Sequence, residues 1–81
     1  MGKFNIALNS ISHVKNFVNK VNKYDFDVDL TSGRYIVDAK SIMGIFSLDL
    51  GKPIMLEAHC QDSDAAAVDA FEKDMTEFKV D

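Results

Sequence analysis

Tyr24-Asp25-Phe26-Asp27-Val28-Asp29-Leu30-Thr31-Ser32-Gly33-Arg34-Tyr35-Ile36-Val37-Asp38 is where the reading of the fold begins. From Tyr24 to Leu30, apolar residues alternate strictly with aspartates, the period-2 signature of a strand with one apolar and one carboxylate face. Thr31-Ser32-Gly33 supplies a turn, with Gly33 free to take positive φ, and Arg34 to Asp38 returns as the paired strand of a hairpin. Asp25, Asp27 and Asp29 share one face of the strand. A calcium loop would need a glycine inside it and a distal glutamate at fixed spacing, and neither follows, so no metal is expected.

Outward from the hairpin, Phe4, Ile6 and Leu8 alternate with polar or small residues as a first strand. Ile11, Val14, Val18 and Val21 then recur at helical spacing, with Phe17 beside the stripe. Ser10 or Ser12 can cap that helix, and Lys20 and Lys23 suit the negative end of its dipole. Downstream, Ser41 caps a short run from Ile42 to Leu48 that is too apolar on all sides for a plain surface helix, so some apolar surface should stay exposed. Asp49 to Pro53 reads as a turn and Ile54 to Cys60 as a fourth strand. A last helix opens at Gln61-Asp62-Ser63-Asp64, with the stripe Val68, Phe71, Met75, Phe78 and with Glu72, Lys73, Asp74 and Glu77 facing water. The order βαββαβα, with its hairpin, favours an α+β two-layer sandwich, an antiparallel sheet covered on one face by helices, over a parallel doubly wound fold.

The chain has 81 residues, 47% hydrophobic and 27% charged, which fits one folded domain over 1–81 and argues against disorder. No apolar run reaches the roughly 18 residues that span a bilayer, and Met1 to Asn5 leads into polar Asn9-Ser10 without a signal-peptide core, so a cytoplasmic protein without membrane contact is expected. Cys60 stands alone and cannot form an internal disulfide, nor can it complete a four-ligand zinc site with two histidines. The formal net charge of −4 speaks against a nucleic-acid reader. That charge is uneven: residues 1–24 hold Lys3, Lys15, Lys20 and Lys23 and no acid. Such a patch is ordinarily a solvated helix face; the sharper reading is a docking surface for an acidic partner.

Asp38-Ala39-Lys40-Ser41-Ile42-Met43-Gly44-Ile45-Phe46-Ser47-Leu48, followed by Gly51, a strand ending near Cys60 and an Asp-rich opening of an Ala-rich helix, resembles the HPr family of phosphocarrier proteins of the bacterial sugar phosphotransferase system. The resemblance spans Phe4 to Phe78 and implies sheet order 1-4-2-3 under three helices, and a carrier rather than an enzyme. Family members carry phosphate on a histidine just before the first helix. A neutral ring nitrogen is nucleophilic near pH 7, and its phosphoramidate keeps a high transfer potential.

Counting back from Lys40-Ser41, the family's Gly-Ile-His-Ala-Arg-Pro segment falls on Leu8-Asn9-Ser10-Ile11-Ser12-His13. Ser10 takes the histidine position and Ser12 that of the phosphate-holding arginine, and the loop before the helix looks shortened. A serine ester is stable, and without the guanidinium a bidentate phosphate partner is gone, so the carrier site reads as degenerate. His13, where the family places proline, is either a first-turn surface residue or a substitute phosphoryl acceptor near free N–H groups. His59 and Cys60 read as structural.

Ser41 matches the serine that, in Gram-positive members, a dedicated kinase phosphorylates to signal to a transcriptional repressor; read without the family, it is simply an N-cap. Ile42, Met43 and Phe46 correspond to the family's apolar docking patch, while Ile45 and Leu48 read as core. The resemblance thus implies a regulatory or adaptor member without cofactor, similar in logic to the catabolite-repression paralogue of HPr, with phosphotransferase components, a serine kinase or a repressor as partners, as a monomer or weak dimer. The alternatives are a working carrier using His13 and a diverged binding domain that keeps only the fold.

Overall fold

Residues 3–59 and 65–80 are described by the structure, a computed structural model. Seven elements follow in chain order: β1 (Lys3–Ile6), α1 (Ile11–Val21), β2 (Asp27–Ser32), β3 (Tyr35–Asp38), α2 (Ile42–Phe46), β4 (Ile54–His59) and α3 (Ala65–Asp74). The strands form one sheet in the order β1-β4-β2-β3, every neighbouring pair antiparallel. The α+β class, the element order and the 1-4-2-3 topology are therefore as the sequence implies.

The expected hairpin forms, but its turn lies further along than expected: Thr31 and Ser32 belong to β2, Ser32 stands opposite Tyr35, and the two-residue loop is Gly33, at φ +61°, with Arg34. That glycine removes the steric cost of a left-handed residue and lets the loop twist match the strands. The strand before it is shorter than the alternation predicts. β2 starts at Asp27, because the Tyr24 N–H still bonds to the Val21 carbonyl at 3.1 Å in the last turn of α1. The Tyr24 and Phe26 rings instead pack edge-on to Phe71, at centroid distances of 5.2 and 5.3 Å. Local alternation yields there to an aromatic cluster that the last helix supplies.

Ile6, Val28, Leu30, Ile54 and Leu56 project from the sheet into a core completed by Val14, Phe17 and Val21 of α1, Ile45 after Ser41, and Phe71, Met75 and Phe78. Two expectations are corrected here. Phe17, placed beside the helical stripe, is fully buried, whereas Ile11, placed within it, is 64% exposed. As the first residue of α1, Ile11 overhangs the edge of the core. The last helix also ends at Asp74 rather than running to Phe78, and residues 75–78 form turns. Those turns redirect the chain so that Ala7 N–H donates to the Phe78 carbonyl at 2.9 Å and Val80 N–H to the Asn5 carbonyl at 3.0 Å, covering the outer edge of β1. Cys60 and the capping acids Asp62 and Asp64 lie outside the described residues.

Asp74, expected to face water, is half-buried, and Glu77, exposed as expected, also ties the turn after α3 to α1. Lys20 donates to Glu77 at 2.7 Å and Asn16 to the same oxygen at 3.1 Å. Tyr24 Oη donates to Asp74, and Lys40 Nζ donates to the Tyr24 carbonyl at 2.8 Å, joining the segment before β2 to the segment after β3 and to α3. Burial first, then the hydrogen bond and the charge of Asp74, push the Tyr24 phenol up to about 12. Because this pKa is raised in the folded state, the Tyr24 contribution to stability is complete below about pH 10, the ordinary value, and is lost as pH rises through about 12. A phenolate absorbance titration should show one late step that disappears in Tyr24→Phe; a single step near the ordinary value would contradict this geometry.

Candidate functional site

The N-terminus of α1 and the C-terminal end of α2 meet at a cleft of about 560 Å³ lined by Leu8, Asn9, Ser10, Ile11, Phe46, Leu50 and Gly51. Ser10 is the N-cap of α1: in extended conformation, φ −155° and ψ 167°, its Oγ accepts the His13 N–H at 3.1 Å. This is a capping bond of the kind that satisfies one of a helix's four free N–H groups. Ser12 stands exposed one residue into the helix.

His13 is half-buried, its ring tilted against Phe78 with centroids 4.8 Å apart. Its Nδ1 accepts the Asn9 N–H at 3.1 Å. A nitrogen that accepts this bond carries no proton, so the neutral ring holds its proton on Nε2. The lone pair of Nδ1 is engaged with the backbone, and Nε2 has none to offer. As placed, the imidazole braces the turn into α1.

Ser41 caps α2 in the same way, its Oγ accepting the Gly44 N–H at 3.2 Å while its own N–H donates to the Asp38 carbonyl at 2.9 Å. The hydroxyl is exposed. Gly44 has a packing reason: a Cβ there would come 3.3 Å from both Ser41 Oγ and Val37 Cβ, tighter than ordinary contact. Glycine thus keeps the cap close to β3.

Beyond the cap, Met43 is 77% exposed and Phe46 41%, while Ile42 is half-buried against the core; Ile45 and Leu48 are buried. α2 itself is five residues, shorter than the run from Ile42 to Leu48. The structure brings Phe46 beside Ser10 and Ile11 at the cleft. Ile11 is the member of this surface that sequence reasoning missed, since its spacing matches the buried stripe. Its position directly after the capping serine was the available signal.

On the opposite, open face of the sheet, His59 Nε2 lies 2.8 Å from Asp29 Oδ2, both partners well exposed. This cross-strand pair breaks the carboxylate row and contributes little to stability in water. Among the described residues no group of three potential ligands gathers a metal, and no helix is long and apolar enough to cross a membrane.

Residues 12–77 match the family model of the PTS HPr component phosphorylation site. Among solved structures, the chain is similar to HPr of Thermoanaerobacter tengcongensis, at 27% identity and TM-score 0.67 over 91% of this chain and 94% of that one. It is also similar to the phosphocarrier HPr of Bacillus anthracis, at 25% identity and TM-score 0.64 over 89% and 90%. The catabolite-repression protein Crh of Bacillus subtilis, a swapped dimer, matches at 27% identity and TM-score 0.63 over 94% and 88%. The sequence has no match among curated proteins. A family match over most of the chain and a shared fold with HPr and Crh place this protein in the HPr family, the phosphocarriers of the phosphotransferase system.

Proposed function

We propose that this protein is a regulatory or adaptor member of the phosphotransferase network that has given up phosphohistidine transfer. The observation that carries this reading is the pair of capping contacts at the start of α1. Counted back from Lys40-Ser41, the carrier histidine's position falls on Ser10, whose Oγ closes the helix, and the neighbouring imidazole directs Nδ1 to the Asn9 N–H. A hydroxyl phosphorylated at Ser10 would form a stable ester, and no guanidinium stands at Ser12 to hold a transferring phosphoryl group.

The apolar surface of Met43 and Phe46, flanked by Ile42, serves as the protein-docking face, and the exposed Ser41 hydroxyl is its switch. Phosphate at Ser41 would add about −1.5 to −2 charges beside that face and change which partner it accepts. A serine kinase and a transcriptional repressor are the partner classes, acting in the cytoplasm. The competing reading, a carrier using His13, requires the Asn9–His13 bond to open. Incubation with phosphoenolpyruvate and the general kinase component tests it: an acid-labile signal lost in His13→Gln would overturn the regulatory reading.

Ser41→Asp should keep the cap, with a melting temperature within a few degrees of the wild type, whereas Ser41→Ala should lose about 1 kcal/mol. Equal destabilisation by both in thermal melts would contradict the capping role.

A further inference from the structure

The sheet order leaves β3 with one neighbour, whereas the outer edge of β1 is covered by the C-terminal segment. Just past the end of β3, Ala39 N–H donates to the Val28 carbonyl at 2.8 Å, in the same register that sets Val37 opposite Leu30 and Tyr35 opposite Ser32. Successive residues of a strand direct their backbone polar groups to opposite sides. If 35, 37 and 39 face β2, then the N–H and C=O of Ile36 and the N–H of Asp38 face the open edge.

Edge strands are normally blunted by lysine, proline, bulges or covering loops. This edge is short, at four residues, but holds no lysine or proline, no other strand among the described residues pairs with it, and it exposes Tyr35 at 71% and Ile36 at 67%. It is bracketed by charges of opposite sign, Arg34 before the strand and Asp38 at its end, both exposed. Asp38 Oδ1 accepts the Lys40 N–H at 2.8 Å, which directs one oxygen inward to its own chain.

We infer that β3 pairs antiparallel with β3 of a second copy about a two-fold axis at Ile36, joining two four-stranded sheets into one of eight strands. The pattern is self-complementary about that residue. Ile36 meets the partner's Ile36 with reciprocal backbone hydrogen bonds, Tyr35 meets the partner's Val37, and Arg34 meets the partner's Asp38 at both ends. Alternation places Ile36 and Asp38 on the open face and Tyr35 and Val37 on the helical one, so the contacts of each face match across the axis. This inference does not rest on the regulatory reading.

Sedimentation velocity of the intact protein from micromolar to millimolar concentration tests it. The wild type should show monomer–dimer exchange. Arg34→Asp should weaken it about tenfold by setting like charges opposite each other at both ends, and Asp38→Arg should do the same. An equimolar mixture of the two variants should recover the dimer, because one chain then brings two acids and the other two bases. Arg34 lies in the hairpin loop, so its variant reports even if Asp38→Arg fails to fold. A monomer at all concentrations, or a dimer indifferent to Arg34→Asp, such as one made by exchanging an element, would overturn the proposal.

Discussion

Phe71→Ala should remove a large share of the protein's stability. The Phe71 ring is fully buried and is the hub of an aromatic cluster, with Phe4, Tyr24 and Phe26 at centroid distances of 6.5, 5.2 and 5.3 Å. Truncating such a residue removes its transfer free energy and leaves a cavity, together about 3–5 kcal/mol. A chain of this length has only about 4–12 kcal/mol in all. The melting temperature should fall by at least about 12 °C, since each kcal/mol is worth about 4–8 °C in a small domain. Tyr24→Phe is the control: it keeps the ring contact and loses only the bond to Asp74, with a cost of about 1 kcal/mol. A fall below about 5 °C for Phe71→Ala would mean that α3 does not pack on the sheet in this way.

The second large effect concerns partner binding. Met43→Asp combined with Phe46→Ala removes the exposed apolar surface of α2 without touching the buried Ile45 and Leu48. If this face is the docking site, the pair should behave as interface hot spots, with a loss of about 2 kcal/mol or more, near thirtyfold in affinity. The readout is kcat/KM for Ser41 phosphorylation by an HPr serine kinase, with the thermal melt unchanged. Unaltered kinetics in the folded double variant would move the docking face elsewhere on the molecule.

How much of this was legible in the sequence differs from element to element. The hairpin and the α+β class follow from Asp27 to Asp38 and from the element order, because pleat alternation and cap chemistry are local, whereas the sheet order comes from the resemblance carried by the Asp38 to Leu48 segment. Tyr24 and Phe26 were misassigned to β2 because their partner, Phe71, lies far along the chain and no local pattern announces it. Phe78 read as helical for a related reason: its burial is real, but a turn achieves it. At the site, Ser41 is legible as a cap, while the sequence leaves the cap of α1 open between Ser10 and Ser12 and the structure gives it to Ser10. The Asn9–His13 bond was not legible, since a backbone N–H reaching a side chain four residues on depends on how the shortened loop closes. Likewise, periodicity could not separate Ile11 from the buried stripe, because it reports a face of a helix and not where the core beneath it ends.

Where phosphate goes separates a regulator from a carrier. Intact-mass spectrometry after two separate incubations, one with phosphoenolpyruvate and the general kinase component and one with ATP and the serine kinase, asks this directly. One phosphate gained from ATP alone and mapped to Ser41, with the mass unchanged by phosphoenolpyruvate, is the predicted result. Phosphate gained from phosphoenolpyruvate and mapped to His13 would contradict it, and would mean that the imidazole leaves the Asn9 N–H to act as a carrier.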